Sequence, residues 1–220
     1  MNLSFKYELE KEFTNLRCGV KSLNHPGELP KMAQDIVALG INLDDKTRVL
    51  EFFNNKMAEK KIGLDKRIGE LASDWSIVQS EVAKRLKDLF RTDLDLGNIT
   101  VYLTVSKRCG YNHEKNFFFV TIDGECPRKT IIHELLHFYT HKLYENDLKS
   151  QGVDNTQFND YKEALTFLVN TNFSDIVSPA KDFGYEKQKE LRKYLEHEWR
   201  NCRDVGELTE KYKKYLIQLK

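Results

Sequence analysis

Apolar residues in the first hundred positions recur at helical intervals. After Asp44 and Asp45, the residues Val49, Leu50, Phe52, Phe53 and Met57 form a core-facing stripe at mixed three- and four-residue steps. A longer pattern through Leu71, Trp75, Val78, Val82, Leu86 and Leu89 predicts a helix that ends near Phe90. Residues 1–40 are ambiguous in period. Beyond Phe90 the period changes to two. Ile99, Val101, Leu103 and Val105 alternate with Thr100, Tyr102, Thr104 and Ser106, as in a half-buried strand. The polar run 107–115, KRCGYNHEK, is expected to be a loop, and 116–123, NFFFVTID, a second strand with Phe118, Val120 and Ile122 on one face. The two strands are expected to pair as an antiparallel hairpin with a long connection.

Gly124 ends the second strand, and Pro127 suits the first turn of a helix running to about Asn146. The segment NDLKSQGVDN breaks it, and a further helix is expected from about Thr156 to Asn172. SDIVSP interrupts the pattern again, and helices over roughly 185–201 and 205–219 complete the chain. Helices, a hairpin, then helices predict an α+β fold, mostly helical with a small antiparallel sheet. The expected organisation is an N-terminal helical region, 1–97, packing on a core of 98–220 in one compact unit.

Charge narrows the function classes. Lys and Arg number 35 against 34 Asp and Glu, which argues against a dedicated nucleic-acid binder. No apolar run approaches a membrane span, and MNLSFKYELEKEF is charged within its first ten residues, so no signal peptide is expected. Cys18, Cys109, Cys126 and Cys202 are scattered without a CxxC pair. Reduced thiols and a cytoplasmic location are the expectation, although Cys109 and Cys126 bracket the expected hairpin.

The chemistry concentrates in TIIHELLHFYTH, residues 130–141. His133 and His137 stand four apart, so on a helix they lie about 40° apart around the axis and ~6 Å along it, and can converge on one zinc ion. Glu134 follows the first histidine, completing an H-E-x-x-H pattern with a carboxylate placed to act as general base. The bland reading is a core helix whose histidines bond to neighbours. The helical context and the stripe Ile132, Leu135, Leu136, Tyr139 and Leu143 on the opposite face favour zinc. His141 lies ~12 Å of axial rise from His133 and cannot share the ion, so it is a supporting neighbour, a cleft wall or surface. In the next helix Asn159, Glu163, Thr166 and Asn170 make a polar stripe beside an apolar one. Either that stripe is solvated, or Glu163 completes a His-His-Glu site with the fourth position open to water.

These segments resemble the gluzincin metallopeptidases, which combine an H-E-x-x-H helix with a glutamate ligand on a later helix. The resemblance covers roughly Ile99 to Asn172 and rests on TIIHELLHF and KEALTFLVN. It implies a zincin fold, one zinc held by His133, His137 and Glu163, and hydrolysis of peptide or protein substrates by a zinc-activated water with Glu134 as general base. It also implies that NFFFVTID is an edge strand for an extended substrate. The family's carboxylate four residues after the ligand glutamate is absent, that position being Phe167, which leaves Thr166, Asn170 or a distant carboxylate to orient a ligand. A second resemblance, with the same chemistry, is to H-E-x-x-H peptidases linked to toxin–antitoxin and stress regulation.

An oxyanion donor is also needed. Tyr185, after a glycine beyond the glutamate helix, is preferred over His197, Tyr111 and His113. A Cys109–His113 nucleophile rests on loop proximity alone, and the charged stretch 187–200 reads more simply as a helix packed through Leu191, Tyr194, Leu195 and Trp199 than as an interaction helix. The competing functions are a non-catalytic binding or regulatory protein of the same fold and a hydrolase of a non-peptide amide.

Overall fold

The computed structural model describes residues 1–21, 29–60 and 63–218. It is α+β, mostly helical with one small mixed sheet. The chain gathers into two compact units, Met1–Trp75 with Gly97–Pro127 and Ser76–Leu96 with Arg128–Lys220. Residues 98–127, grouped from sequence with the downstream helices, cluster with the N-terminal residues.

The first unit contains β1 (Asn2–Lys6), α1 (Leu9–Lys21), α2 (Lys31–Ala38), α3 (Lys46–Lys60) and the beginning of α4 (Leu64–Phe90). It also holds β2 (Asn98–Thr104), β3 (Tyr111–Asn112) and β4 (Phe117–Thr121), in the sheet order β1-β2-β4-β3. The expected antiparallel hairpin is corrected here. β2 and β4 run parallel, with Thr100 opposite Phe117 and Thr104 opposite Thr121. β4 lies between β2 and β3, so it is not an edge strand.

The physical reason is that KRCGYNHEK is not a simple turn. It returns as β3, antiparallel to β4, and the chain reverses again at Asn116, whose φ of 50° asparagine tolerates better than most residues. Two reversals restore the original direction. Side chains of α1 hold the intervening segment: Asn15 Nδ2 donates to Arg108 O at 2.8 Å, and Gly110 N donates to Asn15 Oδ1 at 3.2 Å. A local window over KRCG contains none of these partners. Leu16, Ile36, Val49, Phe53, Leu71, Leu103 and Ile122 fill this unit's main core. Tyr102, Phe117 and Phe119 form a separate aromatic cluster.

The second unit holds the end of α4, α5 (Pro127–Ser150), α6 (Asn155–Ala164), α7 (Phe167–Asn172) and α8 (Ser174–Val177). A 3₁₀ turn (Glu186–Gln188), α9 (Lys189–Cys202) and α10 (Val205–Gln218) follow. The last residue of the helix expected over 205–219 lies outside the described residues. From Ile131 to Thr140 every residue of α5 except His133 is buried. The expected apolar stripe is therefore only part of a helix enclosed on all sides, with Leu143 at its half-buried margin.

The single helix expected over 156–172 is two. Asp154 caps α6 in a capping box with Gln157. The helix then tightens at Leu165–Thr166, where Thr166 N–H donates three residues back to Glu163 O at 3.3 Å. Tyr161 stacks on Tyr212 with ring centroids 4.4 Å apart, and Phe167 meets Trp199 edge-on at 6.2 Å. These contacts fasten α6 to α10 and α7 to α9. Among the described residues no helix is long and apolar enough to cross a membrane.

Candidate metal centre

One turn apart on α5, His133 and His137 bring their rings to 4.5 Å between centroids. Glu163, near the end of α6, faces both. Its Oε1 lies 3.4 Å from His137 Nε2 and its Oε2 lies 3.9 Å from His133 Nε2. One ligand atom from each residue falls within 4.8 Å of the others. Tetrahedral zinc ligands at 2.0–2.1 Å from the ion stand about 3.4 Å from one another, so small shifts bring these atoms to a common centre.

Asp182 selects the histidine nitrogen that points inward. Its Oδ2 lies 2.6 Å from His133 Nδ1, leaving Nε2 to face Glu163. Asp182 is itself held from several directions. Arg192 donates from Nη1 to Oδ1 at 3.1 Å and from Nη2 to the backbone carbonyl at 2.7 Å. Asn170 exchanges two bonds with the Asp182 backbone, at 2.6 and 2.8 Å, and Thr166 Oγ1 lies 3.0 Å from Oδ1. Asn170 therefore acts on the residue that orients His133, and Thr166 touches both that residue and the backbone carbonyl of Glu163, at 2.8 Å from Oγ1. Asp182 and Arg192 carry no local sequence signal beyond an acidic residue before an F-G pair.

The donors differ in charge. Burial opposes ionisation of Asp182, but the hydrogen bond and charge of His133, with Arg192, hold it at about 2. Burial pulls His133 down, yet Asp182, Glu134 and Glu163 outweigh it and raise the imidazole above its ordinary value. For His137, burial and then the Lys162 charge lower it to about 3, so its ring is neutral, the form that ligates metal. Burial acts upward on Glu163, but its contacts with His137 and Lys162 keep it ionised, well below the usual carboxylate range. Glu134 differs. Burial pushes it up to about 7 against the opposing charge of His133. Its Oε2 is buried and, among the described residues, has no hydrogen-bond partner.

Lys162, absent from the expected set, donates from Nζ to Glu163 Oε1 at 2.6 Å with its side chain only 3% exposed. A signal existed: Lys162 sits four residues after Phe158 and three before Leu165, on the apolar stripe of α6. His141 turns elsewhere. Its Nδ1 lies 2.7 Å from Glu145 Oε2, and its ring meets Phe158 edge-on at 5.0 Å. Tyr185 is half exposed at the start of the 3₁₀ turn, and His197 is exposed on α9. Tyr111, in β3, and His113 belong to the first unit.

No family model, curated protein or solved structure matches the chain. Two imidazole nitrogens and a carboxylate whose ligand atoms lie within 4.8 Å of one another could hold a metal ion, and Oε2 of Glu134 is a buried carboxyl oxygen lacking a partner among the described residues.

Proposed function

We propose that the chain is a single-zinc hydrolase of zincin type, a metallopeptidase that acts on peptide or protein substrates. His133, His137 and Glu163 hold the ion, and Glu134 is the general base. The observation that carries this reading is the convergence of the three ligand atoms within 4.8 Å beside the unpartnered Oε2 of Glu134. Zinc, when bound, supplies Lewis acidity toward water and a scissile carbonyl.

The remaining work falls to side chains of the protein. A carboxyl held at about 7 is suited to accept a proton near neutral pH and return it to a leaving amine. Its Oε2 is the oxygen left without a hydrogen-bond partner among the described residues. Asp182 keeps His133 in the tautomer that presents Nε2, and the packing of α5 keeps bulk water from Glu134 and His137, which are 4% and 1% exposed.

The test is metal analysis of the purified chain with peptide-turnover assays on wild type, Glu134→Gln and His133→Ala. About one zinc per chain is expected in wild type and Glu134→Gln but not in His133→Ala, with turnover only in wild type and lost on chelation. Zinc bound by a wild type that turns over no peptide would favour a zincin-type binding protein instead. Peptide turnover that survives Glu134→Gln would remove Glu134 as base.

A further inference from the structure

Glu163 has two claimants. One is the ion inferred above; the other is already in place. Lys162 Nζ contacts Oε1, the same oxygen that lies 3.4 Å from His137 Nε2. Consecutive residues on a helix point about 100° apart, so this contact requires both side chains to turn to one point. Lysine is seldom buried unless paired, and here its side chain is 3% exposed against 11% for Glu163.

The three acidic residues of the centre make the pattern plain. Asp182 has Arg192, Glu163 has Lys162, and Glu134 alone lacks a basic side chain donating to it among the described residues. We propose that Lys162 is the resident cation of the site: its ammonium neutralises Glu163 in the metal-free chain, and zinc binds against that charge. The inference rests on the zinc reading above.

Two consequences follow from Coulomb's law. Without metal, the ammonium compensates a buried carboxylate that otherwise has only the two imidazoles beside it. With metal, a fixed positive charge bonded to a ligand oxygen repels the ion and draws electron density from that ligand, so affinity is lower than the three donors alone would confer. A lysine that only steered Glu163 would have the opposite effect, and its loss would weaken binding.

The experiment compares full-length wild type, Lys162→Met, Lys162→Gln and Lys162→Arg. Zinc affinity is measured by competition with a chromogenic chelator at one pH, and thermal unfolding with and without zinc. Lys162→Met and Lys162→Gln are expected to bind zinc on the order of tenfold tighter or more, and Lys162→Arg within a few-fold of wild type. The metal-free Lys162→Met protein is expected to melt earlier than wild type and to gain more from added zinc. Lys162→Gln keeps a donor for Oε1 without the charge, so it separates neutralisation from steering even if Lys162→Met folds poorly. Zinc affinity equal to or weaker than wild type in Lys162→Gln overturns the proposal while leaving the metal site intact. Failure of wild type itself to bind zinc overturns the metal site and this proposal together.

Discussion

His133 and Asp182 lie 49 residues apart in sequence and 2.6 Å apart in space, Nδ1 to Oδ2. The resemblance to gluzincins left a carboxylate missing four residues after Glu163, where this chain has Phe167. That phenylalanine is fully buried and packs on Trp199, so the position serves the core. The orienting carboxylate comes instead from the loop after α8, secured by Arg192, Asn170 and Thr166.

Removing that carboxylate should loosen the metal. Asp182→Ala is expected to weaken zinc binding about 10–100-fold, as outer partners of metal-bound histidines usually do. It also removes one carboxylate partner of the buried Arg192, which keeps Thr166 Oγ1, the backbone carbonyl of residue 182 and Glu196, so unfolding free energy should fall by about 1–3 kcal/mol. Chelator competition and denaturant titration read the two effects separately, and unchanged zinc affinity would remove Asp182 from its assigned role.

Gly184 supports the same cradle. Its φ is +65°, and an added Cβ would sit 2.8 Å from Arg192 Nη1. Gly184→Ala should therefore lower stability by about 1–3 kcal/mol through backbone strain and displacement of the guanidinium. A thermal melt unchanged from wild type would contradict it.

The two effects of pH at His133 have opposite signs. Its folded-state pKa is raised, so its contribution to metal-free stability is full below its ordinary value of 6.5 and is lost as pH rises through the higher folded value. Zinc must replace the proton on Nε2, so zinc affinity should rise with pH by up to about tenfold per unit over the same window, then level off. Isothermal titration at several pH values, with parallel melts of metal-free protein, reads both slopes. Parallel slopes would be inconsistent with this assignment.

Glu12 provides a test independent of the metal. Its carboxyl accepts from Val105 N at 2.8 Å and from Thr104 Oγ1 at 2.6 Å. Burial nevertheless raises it from 4.5 to about 7. The folded state thus holds the proton more tightly than the unfolded chain, and stability should fall as pH rises from about 4.5 through about 7. Glu12→Gln, which mimics the protonated form, should match wild type near pH 4.5 and exceed it by up to about 3 kcal/mol at pH 8. Urea titrations at the two pH values check this; a variant less stable than wild type at pH 8 would refute it.

Tyr185 is half exposed and stands three residues after Asp182, whose backbone is bonded to Asn170 and Arg192. If it is the oxyanion donor, Tyr185→Phe should lower kcat about 10²–10³-fold with zinc content and KM nearly unchanged. A kcat equal to wild type would return the search to other donors, Lys162 among them.

The amino-acid sequence by itself determined the features that live within one element. The period of Leu71 to Leu89 sufficed for α4, and the alternation after Ile99 for β2. Four-residue spacing on a helix placed His133 and His137 together, and the polar stripe singled out Glu163 before the break at Thr166. Each follows from backbone geometry, which repeats every few residues. Strand direction did not follow, because β2 and β4 become parallel only through β3 and the α1 side chains that hold it. The hold of Asp182 on His133 likewise depends on a loop closing back on the helices, and nothing in the sequence around Asp182 ties it to the H-E-x-x-H helix. Lys162 was visible as a misfit on an apolar stripe, but only packing decided that its charge would meet Glu163 and not water.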